Sequence, residues 1–314
     1  MRFATIEIAG RAQPVVISPD GQGFAPVAAL VPGFAGDLVD LIARVPSPAQ
    51  AFAPIAATPV AATPIAATPI AGTPVATWQS LAGHRLLAPI PWPRRNVFCV
   101  GKNYHEHAAE FAHSGFDTSA AKGETAPEFP VVFTKPPSSV IADGEAVQAF
   151  AQVTQQLDYE AELAVVIGRP GRAIAPAEAL GHVWGYTIVN DITARDLQQR
   201  HRQWFLGKSM DTFCPMGPWI VTADEVGDPA TLDVRCWING ELRQQANTRD
   251  LIFDIPTIVA TISAGITLLP GDVIATGTPA GVGIGFKPPR FLAPGDVMKI
   301  TIDRLGTLTN TVVA

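Results

Sequence analysis

The sequence predicts a mostly β protein with peripheral helices, an α+β fold in which a small N-terminal region precedes a larger β-rich domain. Two observations carry this. Short segments rich in β-branched and aromatic residues recur along the second two-thirds of the chain: NVFCVG, PVVFTK, ELAVVIG, WGYTIVND, LDVRCWING, GDVIATGT and VMKITID. Such residues fit a pleated, half-buried surface. Asn239-Gly240, between VRCWI and ELRQQ, is the residue pair that a two-residue hairpin turn favours.

Taken in order, residues 1–77 read as a small α/β region. FATIEIAG and PVVISPDG pattern as a hairpin, and DLVDLIARV as a short helix. A Pro/Ala/Thr repeat follows within residues 49–77, with units starting at Pro54, Pro59, Pro64 and Pro69. A period of five fits neither helix nor strand, and proline at that spacing biases the backbone toward polyproline II. It is expected to be a connector without a catalytic role. Residues 78–314 form the larger domain. Its helical pieces are the segment after Tyr104, PAEALGHV, TARDLQQRH and IPTIVATISAG, and Gly271-Asp272 and Gly295-Asp296 mark turns near its end.

Composition narrows the function classes. The 314 residues are 47% hydrophobic and 16% charged, against a usual charged share of about 25%. Such a chain has apolar surface for a large core and for a subunit interface, so a homodimer is expected. The net charge of −6 offers no basic stripe for nucleic acid. The N-terminus lacks the order of a signal peptide, and proline interrupts the Ala-rich stretch too often for a membrane helix, so a cytoplasmic protein is expected. Cys99, Cys214 and Cys236 are isolated and odd in number. They read as free buried thiols.

The most informative segment is QLDYEAELAVVIG, residues 156–168. In a continuous strand Asp158, Glu160 and Glu162 share one face, and neighbours on that face are about 7 Å apart. Two carboxylates converging to about 5 Å repel by on the order of 3 kcal/mol at an effective dielectric of about 20. Water offsets this on an exposed face, and a divalent cation offsets it on a pocket floor. Oxygen ligands favour Mg²⁺ or Mn²⁺, with Ca²⁺ also allowed, over zinc. Asp191 ends the apolar run GYTIVND, just before TARDLQQRH. It is consistent with a helix cap and equally with a third ligand.

In CVGKNYHEHAAE, His107 and Glu110 are three apart and share a helical face. A glutamate bonded to one imidazole nitrogen orients the ring and leaves the other free to take a proton. A polar pair on a surface helix has the same spacing. GVGIG after Pro279 lacks the spacing and the strand–helix context of a dinucleotide fingerprint.

These segments resemble the fumarylacetoacetate hydrolase family. GKNYHEHAAE, PVVFTKPPSSV, DYEAELAVVIG, GYTIVNDITARDLQ, GKSMDTFCPMGPWI and GDVIATGTPAGVG occur in the family's order, across residues 95–314. The ending GFKPPRFLAPGD is similar to the branch of FAH-domain-containing proteins of the second type. The resemblance implies a mixed β-sandwich or β-roll catalytic domain. It implies Glu160, Glu162 and Asp191 as metal ligands, and His107 with Glu110 as a water-activating dyad on a lid. Arg195 and Gln198 would reach substrate oxygens, Lys208 would stabilise developing negative charge, and Thr278 would bind a carboxylate or keto group. Lys135 would lie near the site.

The expected activity is metal-dependent hydrolysis of a C–C bond in an acylpyruvate or β-diketo acid, with a small oxo-acid as substrate. The family also includes decarboxylases, isomerases and tautomerases, and the His/Glu pair favours hydrolysis or decarboxylation over simple isomerisation. A catalytically silent, metabolite-binding relative is the alternative of a different class.

Overall fold

The structure, a computed structural model, describes residues 1–52, 78–115 and 126–314. The repeat units from Pro54 onward lie outside the described residues.

The N-terminal hairpin forms from β1 (Arg2–Ile8) and β2 (Arg11–Ile17), which pair with Phe3 opposite Val16. The chain reverses at Ala9 and Gly10, both at positive φ. β3 (Gly23–Pro26) and β4 (Gln79–Ser80) extend this edge, and β5 (Leu86–Leu87) pairs with β1. Then come β6 (Val97–Gly101), β7 (Val131–Lys135), β8 (Val140–Ile141) and β9 (Ala146–Gln148). The acidic segment divides into β10 (Leu157–Asp158) and β11 (Ala161–Ile167). The strand ending before Asp191 is β12 (Val183–Asn190), followed by β13 (Thr193–Ala194) and β14 (Cys214–Thr222). The expected hairpin at Asn239-Gly240 joins β15 (Asp233–Ile238) to β16 (Glu241–Asn247). Both turn residues have positive φ, 52° and 84°, as a primed turn requires. β17 (Val273–Ala275), β18 (Val297–Ile302) and β19 (Gly306–Val313) complete the set.

The main sheet runs β4-β3-β2-β1-β14-β12-β11-β17-β6-β7, and a five-stranded sheet runs β16-β15-β18-β19-β9. β1 bonds directly to β14, with Arg2 opposite Val221, so the N-terminal strands continue the main sheet. β11 is buried along its whole length, and its alternation explains why. Leu163, Val165 and Ile167 face a core shared with β15, β18 and the helix Ile255–Ser263. Ala164 and Val166 face a second core shared with the helix Leu38–Arg44. A strand covered on both faces reads as a continuous apolar run. The fold is therefore mostly β with helices at its margins, as expected. PAEALGHV differs in forming a 3₁₀ helix, Pro176–His182. No helix among the described residues is long and apolar enough to cross a membrane.

Register sets up the site. β11 and β12 pair antiparallel with Ala161 opposite Asn190, and Asp191 N–H donates to the Glu160 carbonyl at 2.8 Å. Glu160, Glu162 and Asp191 therefore meet at one end of the two central strands.

Trp184 ties the N-terminal elements to this sheet. It is 1% exposed, its ring lies 4.9 Å from that of Phe3, and its Nε1 donates to the Val45 carbonyl at 2.8 Å. Trp184→Ala should cost about 3–5 kcal/mol of stability, read as a lower urea midpoint. An unchanged midpoint would show that the N-terminal packing adds nothing.

Candidate active site

One carboxylate oxygen each from Glu160, Glu162 and Asp191 lies within 4.8 Å of the others, and all three residues are buried. This is a hard, all-oxygen donor set that fits a divalent cation. Asp158 departs from the shared face expected of one continuous strand. The chain breaks at Tyr159–Glu160, and the Asp158 side chain turns to Gly283 N–H at 2.7 Å, Ile284 N–H at 3.2 Å and Arg195 Nε at 2.9 Å. Side chains repair the break: Asn190 Oδ1 accepts from Glu160 N–H and Gln244 Oε1 from Ala161 N–H. Asp191 does not cap the following helix, whose N-cap is Ala194 without a side-chain bond.

Cations hold the acids in place. Lys208 Nζ bonds Glu160 Oε2 at 2.6 Å and Asp191 Oδ2 at 2.7 Å. Lys135 Nζ bonds Asp191 Oδ1 at 2.5 Å, the Ile192 carbonyl at 3.0 Å and the Lys208 carbonyl. Arg195 Nη1 bonds Glu160 Oε1 at 2.7 Å and Gln198 Oε1 at 3.2 Å. Arg195 Nη2 is buried and has no protein partner among the described residues. Thr278 Oγ1 donates to the Ala161 carbonyl at 3.0 Å and accepts from Gln244 Nε2 at 2.8 Å.

Electrostatics separate the two glutamates. Burial works against the charge of Glu160, but Lys208, Arg195 and His107 outweigh it and hold its pKa at about 2. Burial, reinforced by Asp191 and Glu160, pushes Glu162 well above the usual carboxylate range. Burial opposes the charge of Lys208 as well, yet Asp191 and Glu160 raise its pKa. It therefore acts as a fixed ammonium.

His107 is 5% exposed on the helix His105–His113, with Nδ1 3.3 Å from Glu110 Oε2. Glu110 Oε1 accepts from Gly281 N–H at 3.0 Å. A Cβ at Gly285 would overlap Glu110 Oε1, and one at Gly283 would crowd Asp158 Oδ1 at 2.7 Å. The GVGIG turn thus grips Glu110 and, through Asp158 and Arg195, Glu160. Asp158, Gln244 and this turn are functional features that sequence reasoning missed. Alternate glycines after the GTP turn were the visible signal, but only the fold shows which carboxylates they meet.

Glu160, Glu162, His107, Arg195, Gln198, Lys208 and Thr278 line one cleft together with Lys102, Phe111 and Trp204. Asp191 and Lys135 lie beneath it, bonded to Lys208.

Residues 96–313 match the family described as fumarylacetoacetate (FAA) hydrolase C-terminal. The chain belongs to this family. It is 52% identical over 233 residues, 74% of each chain, to oxaloacetate tautomerase YisK of Bacillus subtilis strain 168. The structure is similar to fumarylacetoacetate hydrolase from psychrophilic Exiguobacterium antarcticum, with a TM-score of 0.80, 42% identity and coverage of 100% of this chain and 99% of that one. It is also similar to maleylpyruvate hydrolase from Sphingobium sp. SYK-6 in complex with manganese(II) and pyruvate, with a TM-score of 0.71, 32% identity, and the same coverage, 100% and 99%.

A carboxyl kept protonated by burial surrenders its proton when a cation takes its place. Mg²⁺ or Mn²⁺ affinity should rise with pH as Glu162 ionises, with protons released on binding where it is still neutral. Calorimetry across a pH series in buffers of different ionisation enthalpy checks this, and an affinity independent of pH would overturn it. Gly285→Ala should displace Glu110 and lower kcat by about tenfold or more while leaving metal affinity near its original value, as paired kinetics and metal titration will show.

Proposed function

We propose that this family member is a divalent-metal-dependent enzyme of small 2-oxo acids that moves a proton at the carbon next to the carbonyl, a keto–enol tautomerase of oxaloacetate type. The observation that carries the reading is one small cleft lined by metal-ligating acids, fixed cations and a His/Glu pair. The 52% identity to an oxaloacetate tautomerase supports the same reaction class.

Glu160, Glu162 and Asp191 would hold the cation, Mg²⁺ or Mn²⁺ by their chemistry. When bound, it supplies Lewis-acid polarisation of the substrate carbonyl. Arg195 turns its unpartnered Nη2 to a substrate carboxylate oxygen. Lys208 uses two of its three N–H donors on Glu160 and Asp191 and keeps one for the oxygen where negative charge develops. Glu110 is an acceptor, so His107 Nδ1 carries the proton between them and Nε2 is free. His107 Nε2 takes the C3 proton of the keto form, the enolate oxygen so formed takes a proton from water to give the enol, and the imidazolium gives its proton back to solvent; the reverse direction runs the same transfers backward. Thr278 and Gln244 hold the strand break that carries Glu160 and Glu162, and Gln198 braces Arg195.

A second reading, hydrolysis of a C–C bond in an acylpyruvate, is favoured by the same His107–Glu110 pair, an arrangement suited to activating water. The similar maleylpyruvate hydrolase supports it.

Enol–keto conversion of oxaloacetate and hydrolysis of acetopyruvate, each measured with and without Mg²⁺ or Mn²⁺, separate the two. Metal-dependent conversion of oxaloacetate that exceeds acetopyruvate cleavage supports the tautomerase, and the reverse order replaces it with the hydrolase. Glu162→Gln should lower turnover by about a hundredfold or more and weaken metal binding. His107→Ala should lower turnover by about a hundredfold with metal binding retained. Full activity in either variant would remove that residue from the mechanism.

A further inference from the structure

We propose that Tyr159 is a positioning residue for the His107–Glu110 pair, acting through the backbone of Gly281 without touching substrate. The inference rests on the general-base reading of that pair above and adds what aims it.

Tyr159 lies in the interruption between β10 and β11, where three consecutive side chains go to three places. Asp158 accepts from Gly283 N–H, Glu160 joins the metal-ligand acids, and Tyr159 enters the main core fully buried. A phenylalanine ring would fill that core as well. The hydroxyl is a polar group taken out of water, which costs free energy unless it is hydrogen-bonded. Burial, with Asp158 beside it, pushes the phenol above its usual range, so it stays protonated and donates. It donates to the Gly281 carbonyl at 2.7 Å.

Gly281 is where that bond bears on chemistry. Its N–H donates to Glu110, 3.0 Å from Oε1 and 3.3 Å from Oε2, and Glu110 Oε2 lies 3.3 Å from His107 Nδ1. The donating peptide joins Ala280 to Gly281, and side chains hold the carbonyls on both sides of it. The Pro279 carbonyl accepts from Gln244 Nε2 at 2.8 Å, and the Gly281 carbonyl accepts from Tyr159. Gly281 has φ +99°, and a Cβ there would overlap the Arg243 carbonyl. The position therefore needs glycine, whose wide torsional range must be fixed by its partners. Removing the Tyr159 hydroxyl releases one side of the peptide that grips Glu110, and the imidazole loses the orientation Glu110 gives it. A misplaced base loses rate, while the groups that bind metal and substrate keep their own partners.

The test compares the wild-type protein with Tyr159→Phe, Glu110→Gln and the double variant in Mg²⁺, on whichever of oxaloacetate and acetopyruvate the wild type turns over. Tyr186→Phe, which removes the hydroxyl of another buried tyrosine in the same core, is the control. Tyr159→Phe is expected to lower kcat by about tenfold, with KM and Mg²⁺ affinity within about twofold of wild type; Tyr186→Phe should leave kcat unchanged. In the Glu110→Gln background Tyr159→Phe should lower kcat no further, because two residues that act through one another are not additive. Proton NMR gives a readout without turnover: the His107 Nδ1–H resonance should shift or broaden in Tyr159→Phe and stay in place in Tyr186→Phe. Full kcat in Tyr159→Phe, additive losses in the double variant, or a parallel fall of kcat and Mg²⁺ affinity, which marks a merely structural role, overturns the assignment and leaves the general base intact. Full kcat in Glu110→Gln overturns the general-base reading instead, and the His107 resonance then decides the positioning role by itself, an unmoved signal in Tyr159→Phe overturning it.

Discussion

Four buried carboxylates, Asp158, Glu160, Glu162 and Asp191, crowd one end of the central sheet. Three buried cations, Lys135, Lys208 and Arg195, bond to them. Charges removed from water at this density are tolerated only when paired and hydrogen-bonded. One negative charge has no cation to match it, and burial with the neighbouring Asp191 and Glu160 pushes Glu162 well above the usual carboxylate range. A divalent cation held by these acids would leave the cluster with a net positive charge, the sign that an anionic substrate needs.

Much of the remaining structure keeps these groups apart by fixed amounts. The antiparallel register of β11 and β12 sets Glu160 beside Asp191. The break before Ala161 turns Asp158 out of the ligand set, and Asn190 and Gln244 satisfy the backbone there. The five-stranded sheet contributes Gln244 from β16, which bonds both Ala161 N–H and Thr278 Oγ1 beside the acids. The GVGIG turn reaches both Glu110 and Asp158 through backbone N–H groups. It links the helix bearing His107 to the acids without any charged residue of its own.

The local features were legible in the sequence wherever one short segment decides them. The Asn239-Gly240 hairpin, the strand ELAVVIG and the spacing of His107 and Glu110 all follow from residue type and period. The buried free thiols also follow; Cys99, Cys214 and Cys236 are unpaired and buried. Reading residues 156–168 as one alternating strand went astray at Tyr159, because the interruption is stabilised by side chains from β12 and β16 that no local pattern contains. The role of the glycines after Pro279 was hidden for the same reason.

By itself the sequence determined the mostly β class, the family and the inventory of acidic, basic and imidazole groups, since these depend on composition and on neighbours within a few residues. Only the tertiary structure decided which acid burial pushes toward its neutral form, which cation is shared and where Arg195 leaves a donor open. Those properties depend on desolvation and on distances of a few ångströms between groups far apart in the chain, and they come into being only when the strands pair.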